Sequence, residues 1–562
     1  DWTSNNLTES DISVDSPTNN FCTWNPLSSI VLPTLSEGNL KNGGENNKAM
    51  AGTFGVSTGK WYWEINVLNN SQVAPYIGVT KFSMENDPDV SPTLAASSGR
   101  SVYRFRSTPL YKNFTATAYA DDSAHGLADY GILGLALDLD NGTLKYYVNN
   151  TLYHTDSTIP SDGTTIYPFL TGTFAGGSGW NSAVSNFGQD SSFAGNKTAQ
   201  GNQDGNSIGD FYYTPPTGFL ALCTSNLPDV AVTPSEHFNT VLYTGNGSTQ
   251  SITNVGFQPN WVWLKNRSVA RNHEIYDAIR GATKGLMSND TDAEATRSTG
   301  LTAFNSDGFS LGSHNNVNEN TANFVSWNWK AGNATLASNA FTQGSIASTC
   351  SRNVDAGFSI VSWTGDGGTG TVGHGLNSAP ELWITKDRAS ADNWLTFFTK
   401  VDGSLDAANL NLTNAATAGS VSLPTSSVFT NDGYTNSQNL ITYAFHSVDG
   451  YSKVGSYTGN GVNLNGPYVQ TSFRPAWVML KRTDSADAWV MFDSAREPEN
   501  EDDGQDLSLK ANASDAEAAY GNIDFLSNGF KVMINAGYMN NSGSTYIYLA
   551  FAEVPAKYSN AR

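Results

Sequence analysis

The chain has 562 residues, of which 14% are charged, and its 51 Asp and Glu outnumber its 30 Lys and Arg to give a formal net charge of −21. This balance, with no cluster of basic residues, excludes a basic nucleic-acid-binding face, and no apolar run reaches the roughly 20 residues of a membrane helix. The many Gly and aromatic residues favour an all-β fold of antiparallel β-sandwiches joined by tight turns.

The first region, residues 1–210, alternates apolar and polar residues over short runs, which predicts strands. The clearest runs are Lys60–Val67, Tyr76–Val79, Gly134–Asp138, Leu144–Val148 and Tyr167–Thr171. Asn141-Gly142 separates the third run from the fourth, and Asn-Gly between alternating runs is a strong hairpin signal. Asp1 is not a Met, so we expect that an N-terminal piece was removed or that the chain is part of a longer polypeptide.

Five motifs of this region occur in the order found in SPRY (B30.2-like) domains. They are Gly59-Lys60-Trp61-Tyr62-Trp63-Glu64, Tyr76-Ile77-Gly78-Val79, the hairpin from Leu135 to Asn149, Tyr167-Pro168-Phe169 and Ser185-Asn186-Phe187-Gly188-Gln189. Residues 45–190 therefore resemble that family. The resemblance implies a bent two-sheet antiparallel sandwich of jelly-roll or SPRY type that binds partners through loops at one end and is not generally catalytic.

Residues 211–236 are predicted to be a connector. Pro215-Pro216 forces an extended backbone, and the apolar run Phe219–Cys223 follows it. We therefore expect a tethered segment containing a strand that docks back, rather than a free linker. The three cysteines, Cys22, Cys223 and Cys350, are far apart in sequence and are expected to be buried apolar residues.

The remainder of the chain is a threefold internal repeat, which predicts three related β-sandwich modules. We define module 1 as residues 237–350, module 2 as residues 351–450 and module 3 as residues 451–562. Each copy carries an aromatic-Thr-Gly-(Asn/Asp)-Gly element, a Pro followed by an apolar run ending in Lys, an (Asn/Asp)-Gly-aromatic element and a closing aromatic strand. The first element starts at Tyr243, Trp363 and Tyr457, and these spacings suit sandwich-sized domains rather than a short solenoid unit.

Each repeated element has a predicted structural role. The Thr-Gly-Asn-Gly element is a turn that needs positive φ, and the apolar run is a strand buried on both faces. The best candidates for helices are the mixed-charge stretches Arg271–Lys284 and Ser514–Tyr520.

One repeated position has two open interpretations. Lys265, Lys386 and Lys481 each follow the buried strand, and Arg267 and Arg388 add charge in two copies. Downstream, Tyr276–Arg280 and Phe492–Arg496 are alike, with an Asp and an Arg three residues apart. The lysine is either an edge charge paired with that Asp across the sheet or a shared ligand-binding cation.

The acidic stretch from Glu497 to Asp506 is the best candidate for a metal site. Carboxylate oxygens suit Ca²⁺, so Ca²⁺ is the one cofactor that we consider. A solvated acidic loop is the alternative, because the spacing does not match an EF-hand. The candidate ligands are Glu499, Glu501, Asp502, Asp503 and Asp506.

No sequence pattern for catalysis is found. The seven His lack a nucleophile-elbow context, and no His-x-x-x-His or Cys-x-x-Cys pattern is present. Paired carboxylates of a glycosidase meet only in space, so a depolymerase stays an alternative. We expect that the chain is not an enzyme.

The repeat behind a SPRY-like domain resembles a group of marine phage virion proteins. Asn19-Asn20-Phe21 with Trp24-Asn25-Pro26 near the start and Leu549–Arg562 at the end carry this resemblance. It implies a tail fibre or capsid-attached fibre on the virion surface, with other virion proteins and a host surface glycan or protein receptor as partners. A homo-oligomer is expected, and a trimer is the guess. The alternatives are a secreted adhesin or carbohydrate-binding protein and a purely architectural decoration protein.

Overall fold

The protein divides into two compact units, Asp1–Asp229 and Val230–Arg562, and the division falls inside the predicted connector. The structure is a computed structural model that describes residues 14–16, 18–27, 34–43, 48–68, 76–81, 100–104, 110–112, 118–120, 131–171, 182–332, 335–336, 343–500 and 506–558. Among these residues no helix is long and apolar enough to cross a membrane.

The first unit is a two-sheet antiparallel sandwich. Its strands are β1 (Leu35–Ser36), β2 (Lys41–Asn42), β3 (Ala49–Ala51), β4 (Lys60–Val67), β5 (Tyr76–Thr80), β6 (Arg100–Arg104), β7 (Leu110–Lys112), β8 (Ala118–Ala120), β9 (Ile132–Asp138), β10 (Thr143–Val148), β11 (Thr151–Asp156), β12 (Tyr167–Thr171), β13 (Ala183–Asn186) and β14 (Leu220–Ala221). One sheet has the order β1-β2-β13-β4-β9-β10-β11, and the other has the order β3-β12-β5-β6-β7-β8. Apolar residues of both sheets pack in one core.

All five predicted strands of this unit are confirmed, and β9 and β10 form the predicted hairpin around Gly142, whose φ is +66°. The prediction that the connector docks back is also confirmed. β14 pairs with β4 in parallel, and the buried Glu64 carboxylate accepts hydrogen bonds from the backbone N–H of Tyr212 and of Tyr213, each at 2.8 Å. Burial raises the pKa of Glu64 to about 7, although these hydrogen bonds act to lower it.

The second unit contains the three modules. Module 1 has β15 (Phe238–Thr244), β16 (Gln250–Ile252), β17 (Trp261–Asn266), β18 (Glu274–Asp277), β19 (Lys284–Gly285), β20 (Ala295–Thr296), β21 (Leu301–Asn305), β22 (Gly308–Leu311), α1 (Asn315–Asn318) and β23 (Asn323–Trp329). β24 (Thr335–Leu336) and β25 (Ser348–Asn353) follow, and β25 crosses from module 1 into module 2.

Modules 2 and 3 repeat this plan. Module 2 has β26 (Phe358–Thr364), β27 (Thr371–Gly373), β28 (Leu382–Asp387), β29 (Leu395–Phe398), β30 (Asp406–Asn409), β31 (Thr417–Ala418), β32 (Val428–Thr430) and β33 (Asn439–Phe445). Module 3 has β34 (Ser452–Thr458), β35 (Tyr468–Gln470), β36 (Phe473–Arg482), β37 (Trp489–Asp493), β38 (Leu507–Lys510), β39 (Ala518–Ala519), β40 (Ile523–Leu526), β41 (Gly529–Val532), α2 (Gly537–Asn540) and β42 (Thr545–Pro555).

Each module is a large antiparallel sheet with a small sheet packed on its outer face. The large sheets run β15-β23-β17-β18, β24-β25-β26-β33-β28-β29-β30-β31 and β34-β42-β36-β37-β38-β39. The small sheets are β16-β22-β21, β27-β32 and β35-β41-β40. A separate apolar core lies between the two sheets of each module.

The inner faces of the three large sheets meet in one shared core. Ring centroids lie 4.6 Å apart for Trp261 and Tyr443, 5.6 Å apart for Trp329 and Trp477, and 5.9 Å apart for Phe445 and Phe551. These pairs join module 1 to module 2, module 1 to module 3, and module 2 to module 3. Because β17 is buried along its whole length between this core and the outer core of module 1, its predicted burial on both faces is confirmed.

The two predicted helices are wrong. Residues 271–284 contain β18 followed by a turn, and residues 514–520 contain β39. The charged residues of these stretches form ion pairs, such as Arg280 with Glu294 and Glu517 with Arg496, rather than an exposed helical face.

Candidate functional site

Three equivalent hydrogen bonds place the same end of each module together. The backbone carbonyls of Arg267, Arg388 and Thr483, each just after the central strand β17, β28 or β36, accept from the backbone N–H of Glu517, Glu294 and Ala416. Module 1 thus bonds to module 3, module 2 to module 1, and module 3 to module 2. This cyclic pattern gives the second unit a pseudo-threefold axis with the three strand ends on one side, which we call the turn end.

The aromatic-Thr-Gly-(Asn/Asp)-Gly elements lie at the turn end, because β15, β26 and β34 run in the same direction as β17, β28 and β36. Each element ends in an exposed tip, and the tips are residues 246–249, 366–369 and 462–465. These tips are short and uncharged except for Asp366. The third tip lies in the longest of the three loops, between β34 and β35, and exposes Val462 and Leu464, the latter by 59%.

The two glycines of each element have different roles. Gly247 adopts a φ of +66°, which confirms the predicted need for positive φ, and Gly367 and Gly461 do the same. Gly245 is needed for space, because a Cβ there would lie 2.2 Å from the Glu319 carbonyl oxygen. The turn is therefore held against the segment that follows α1 at backbone distance.

The first and third turns are each hydrogen-bonded to a buried asparagine. Asn318 accepts from the backbone N–H of Asn246 at 2.9 Å and donates to the Asn246 side-chain oxygen at 3.0 Å. Asn540 accepts from the backbone N–H of Asn460 at 2.8 Å in the same way. Both asparagines end a short helix, α1 or α2, and both are fully buried. The tips are exposed, but their bases are held by hydrogen bonds to these buried asparagines.

In module 2 the turn is bonded by an asparagine that follows a strand rather than one that ends a short helix. Asn431, directly after β32, donates to the Asp366 carboxylate at 2.7 Å, and the hydrogen bonds to Asp366 lower its pKa. Asn318 and Asn540 lie 72 and 80 residues along the chain from the turn residues Asn246 and Asn460 that they bond. Sequence analysis missed all three anchors, since no local pattern marks them.

The edge-charge interpretation of Lys265, Lys386 and Lys481 is wrong. Each lysine is fully buried on a central strand, and each Nζ donates to the backbone carbonyl of the next residue at 2.6 Å. Burial lowers the pKa of Lys265 and of Lys481 to about 8. The Asp expected as their partner is bonded to an arginine instead. The second interpretation, a shared ligand-binding cation, stays a prediction.

The Asp and Arg that the sequence showed in two copies form buried networks between modules. In the contact between modules 1 and 2, Tyr443 donates to Asp277 at 2.7 Å, Arg280 bonds to Asp277 and to Glu294, and Arg388 donates to Glu294 at 2.9 Å. In the contact between modules 3 and 1, the corresponding members are Trp327, Asp493, Arg496, Glu517 and Arg267. We call these two contacts the ionic corners.

The contact between modules 2 and 3 has none of these charges. The strand registers place Leu549, Phe398, Val401, Ala416 and Thr483 at the five equivalent positions. Phe398 and Leu549 lie in the shared core. We call this contact the apolar corner.

The proposed calcium ligands are only partly within the described residues. Glu501, Asp502 and Asp503 lie outside them, and Glu499 is exposed. Asp506 is buried, and its carboxylate accepts the backbone N–H of Ile523. No group of three or more His, Cys, Asp or Glu among the residues that the structure describes is placed to hold a metal ion.

Comparison with known proteins identifies a family for the second unit. Residues 233–555 match the family described as "Domain of unknown function (DUF7483)". No curated protein matches the chain. Among solved structures, the TRIM65 PSpry domain is similar at 14% identity over 29% of this chain and 91% of that chain, with a TM-score of 0.23. The stonustoxin structure is similar at 20% identity over 29% of this chain and 26% of that chain, with a TM-score of 0.23. At such low TM-scores, the fold of the first unit rests on its own strand pairing and not on these similarities.

Proposed function

We propose that this chain, which belongs to the DUF7483 family, is a non-enzymatic surface protein that presents three anchored turns to a binding partner. The observation that carries the proposal is the turn end: three equivalent tips are exposed on one side of a pseudo-threefold unit, and each is tied at its base by a buried asparagine. Rigid bases reduce the entropy that a loop loses on binding.

The partner that we propose is a host surface glycan or protein, and the location is the surface of a phage virion. Both parts rest on the sequence resemblance to marine phage virion proteins and to SPRY domains, whose loops bind partners. A secreted adhesin would use the same turn end, so it differs from the virion protein in where the chain is displayed rather than in the site.

An architectural decoration protein is the second candidate, and one observation favours it. Tyr558 is the only aromatic residue among the described residues whose side chain is strongly exposed, and it does not lie in a tip. Glycan-binding and protein-binding surfaces usually carry exposed aromatic side chains, whereas a purely structural protein does not need them. A binding experiment therefore distinguishes the two candidates, because the decoration protein should bind neither cells nor glycans.

The test is binding of the full chain to intact cells and to a glycan array. The variant Ser248→Lys/Thr369→Lys/Leu464→Lys changes one exposed residue in each tip. The control variant Gln258→Lys/Ser378→Lys/Ala495→Lys changes exposed residues at the opposite end of the same three modules and has a similar net charge.

We expect saturable binding by the wild type and by the control, and a loss of at least about tenfold in affinity for the tip variant. Equal loss in both variants would remove the turn end as the site. Absence of binding by the wild type, together with its assembly onto particles, would establish the decoration protein instead.

A further inference from the structure

The edge of the large sheet differs between modules 1 and 2. In module 2, β26 pairs with β33 on one side and with β25 on the other, from Ser348 opposite Trp363 to Asn353 opposite Phe358. In module 1, the equivalent strand β15 pairs with β23, and no described strand pairs with its other side. The same sheet position is thus shown, within one chain, to accept an antiparallel strand.

β15 lacks the features that usually protect a sheet edge. Proteins block such edges with charged side chains, Pro or bulges. No charged residue occurs from Phe238 to Leu264, and β15 has no Pro and keeps a regular register with β23. The equivalent edge strand of module 3, β34, carries Lys453 and Gly455.

β15 also exposes an apolar side chain that its counterparts do not have. Leu242 is 39% exposed, and the residues at its position in modules 2 and 3 are Ser362 and Ser456. Serine at two of three equivalent positions shows that the module folds without a leucine there. The exposed Leu242 is therefore not required by the repeat.

We propose that β15 is the pairing site for β15 of a second copy of this chain, antiparallel about a twofold axis. Two four-stranded sheets would then form one continuous eight-stranded sheet, the size that module 2 reaches within one chain. Two chains of net charge −21 repel each other, so contact is favoured where both surfaces are uncharged. Pairing of the same strand from each copy closes the assembly. This inference does not depend on the proposed function.

The test is the mass of the full chain in solution, measured by light scattering and sedimentation over a wide range of concentration. The variant is Leu242→Lys, and its control is Ser456→Lys at the equivalent position of β34. We expect a dimer for the wild type and for the control, and a dimer dissociation constant raised at least about tenfold by Leu242→Lys. A monomeric wild type, an unaffected Leu242→Lys dimer, or equal disruption by both variants would overturn the proposal.

A second measurement tests the same contact if Leu242→Lys does not fold. Cys22, Cys223 and Cys350 are all buried, so Leu242→Cys adds an accessible thiol at the proposed contact. Mild oxidation should link two Leu242→Cys chains covalently through a disulfide that a reductant cleaves, and the control Ser456→Cys should form no such covalent link. Failure of Leu242→Cys to cross-link, or a trimer in its place, would contradict twofold pairing.

Discussion

The ionic corners and the apolar corner are equivalent contacts between modules, but charged side chains form the first two and uncharged side chains form the third. All three corners share the backbone hydrogen bond between neighbouring modules, such as that from Ala416 to Thr483. All three also share a ring N–H that donates to a carbonyl of the next module. Trp394 donates to Met287 at 2.8 Å, Trp489 donates to Asn409 at 3.0 Å, and His273 lies 3.1 Å from the Lys510 carbonyl. The framework of hydrogen bonds is constant, and the side chains around it are not.

The five variable positions of a corner change together. Two corners have the complete set of Asp, two Arg, Glu and an aromatic donor, whereas the third has five residues without charge. A buried charge is tolerated when every partner is present, and removing one partner leaves a costly unpaired charge. We infer that each network acts as a unit, so a corner that carries only part of either set of residues should be unstable.

The largest effect is expected from breaking an ionic corner at one residue. Arg280→Ala leaves Asp277 and Glu294 without their shared partner in a buried site, which should lower the free energy of unfolding by about 3–5 kcal/mol. Its counterpart in the apolar corner, Val401→Ala, should cost about 1 kcal/mol. Denaturant titration of the full chain measures both, and equal costs would mean that the network has no special dependence on completeness.

A smaller effect is expected from acid. Burial alone would raise the pKa of Glu294 and of Glu517, but the hydrogen bonds and charges of their arginine partners outweigh it and lower both pKa values. A lowered folded-state pKa contributes stability above the unfolded value of about 4.5, and this stability is lost as the pH falls through the folded value.

Denaturation should therefore become easier as the pH falls from about 5 to about 3. The variant Glu294→Gln/Glu517→Gln should show a shallower loss over the same interval, although it is less stable at neutral pH. If its profile had the same slope as that of the wild type, the ionic corners would not be the source of the acid sensitivity.

A conservative substitution should give a still smaller effect. Arg267 donates to both carboxylate oxygens of Glu517, at 3.0 and 2.8 Å, and both side chains are partly buried. Arg267→Lys keeps the charge but loses this two-point geometry, so we expect a loss of about 1 kcal/mol in the free energy of unfolding. The matched change Thr483→Lys adds a charge to the apolar corner, which has no Glu to receive it, and should cost more than Arg267→Lys does.

The smallest effect is expected from converting a whole corner. The variant Asp277→Phe/Arg280→Val/Glu294→Ala/Arg388→Thr/Tyr443→Leu gives the contact between modules 1 and 2 the residues of the apolar corner. Complete replacement of a buried ion network by apolar residues is often neutral or stabilising, so we expect a change within about 1 kcal/mol or a gain. A loss near the sum of the single substitutions would contradict the view that the five positions act together.

Much of the fold could be predicted from local sequence patterns. Alternation of apolar residues predicted β4, β5, β9, β10 and β12, and self-alignment found the three modules and their glycine turns. The strands and the glycine turns are local features, and the repeat is visible because its copies keep the same motifs in the same order. The same method read 271–284 as a helix, because the charges of Arg271 and Arg280 looked like an exposed face although they serve distant partners.

The shared core and the turn anchors could not be predicted, because they depend on contacts between distant residues. Trp261 and Trp329 look like the core of an isolated sandwich, and nothing near them shows that Tyr443 and Trp477 complete the packing. Likewise, Lys265 looks like an edge charge until β18 and β23 are seen on both sides of its strand. Copies of a repeat reveal equivalence, but not how the copies pack on one another.

Calorimetry of the full chain tests most directly whether the three modules form one body that holds the turns together. Because they share one core, the second unit should unfold in a single transition, and Arg280→Ala should move that whole transition to lower temperature. Separate transitions for the modules, with Arg280→Ala moving one of them and leaving the others in place, would contradict the account.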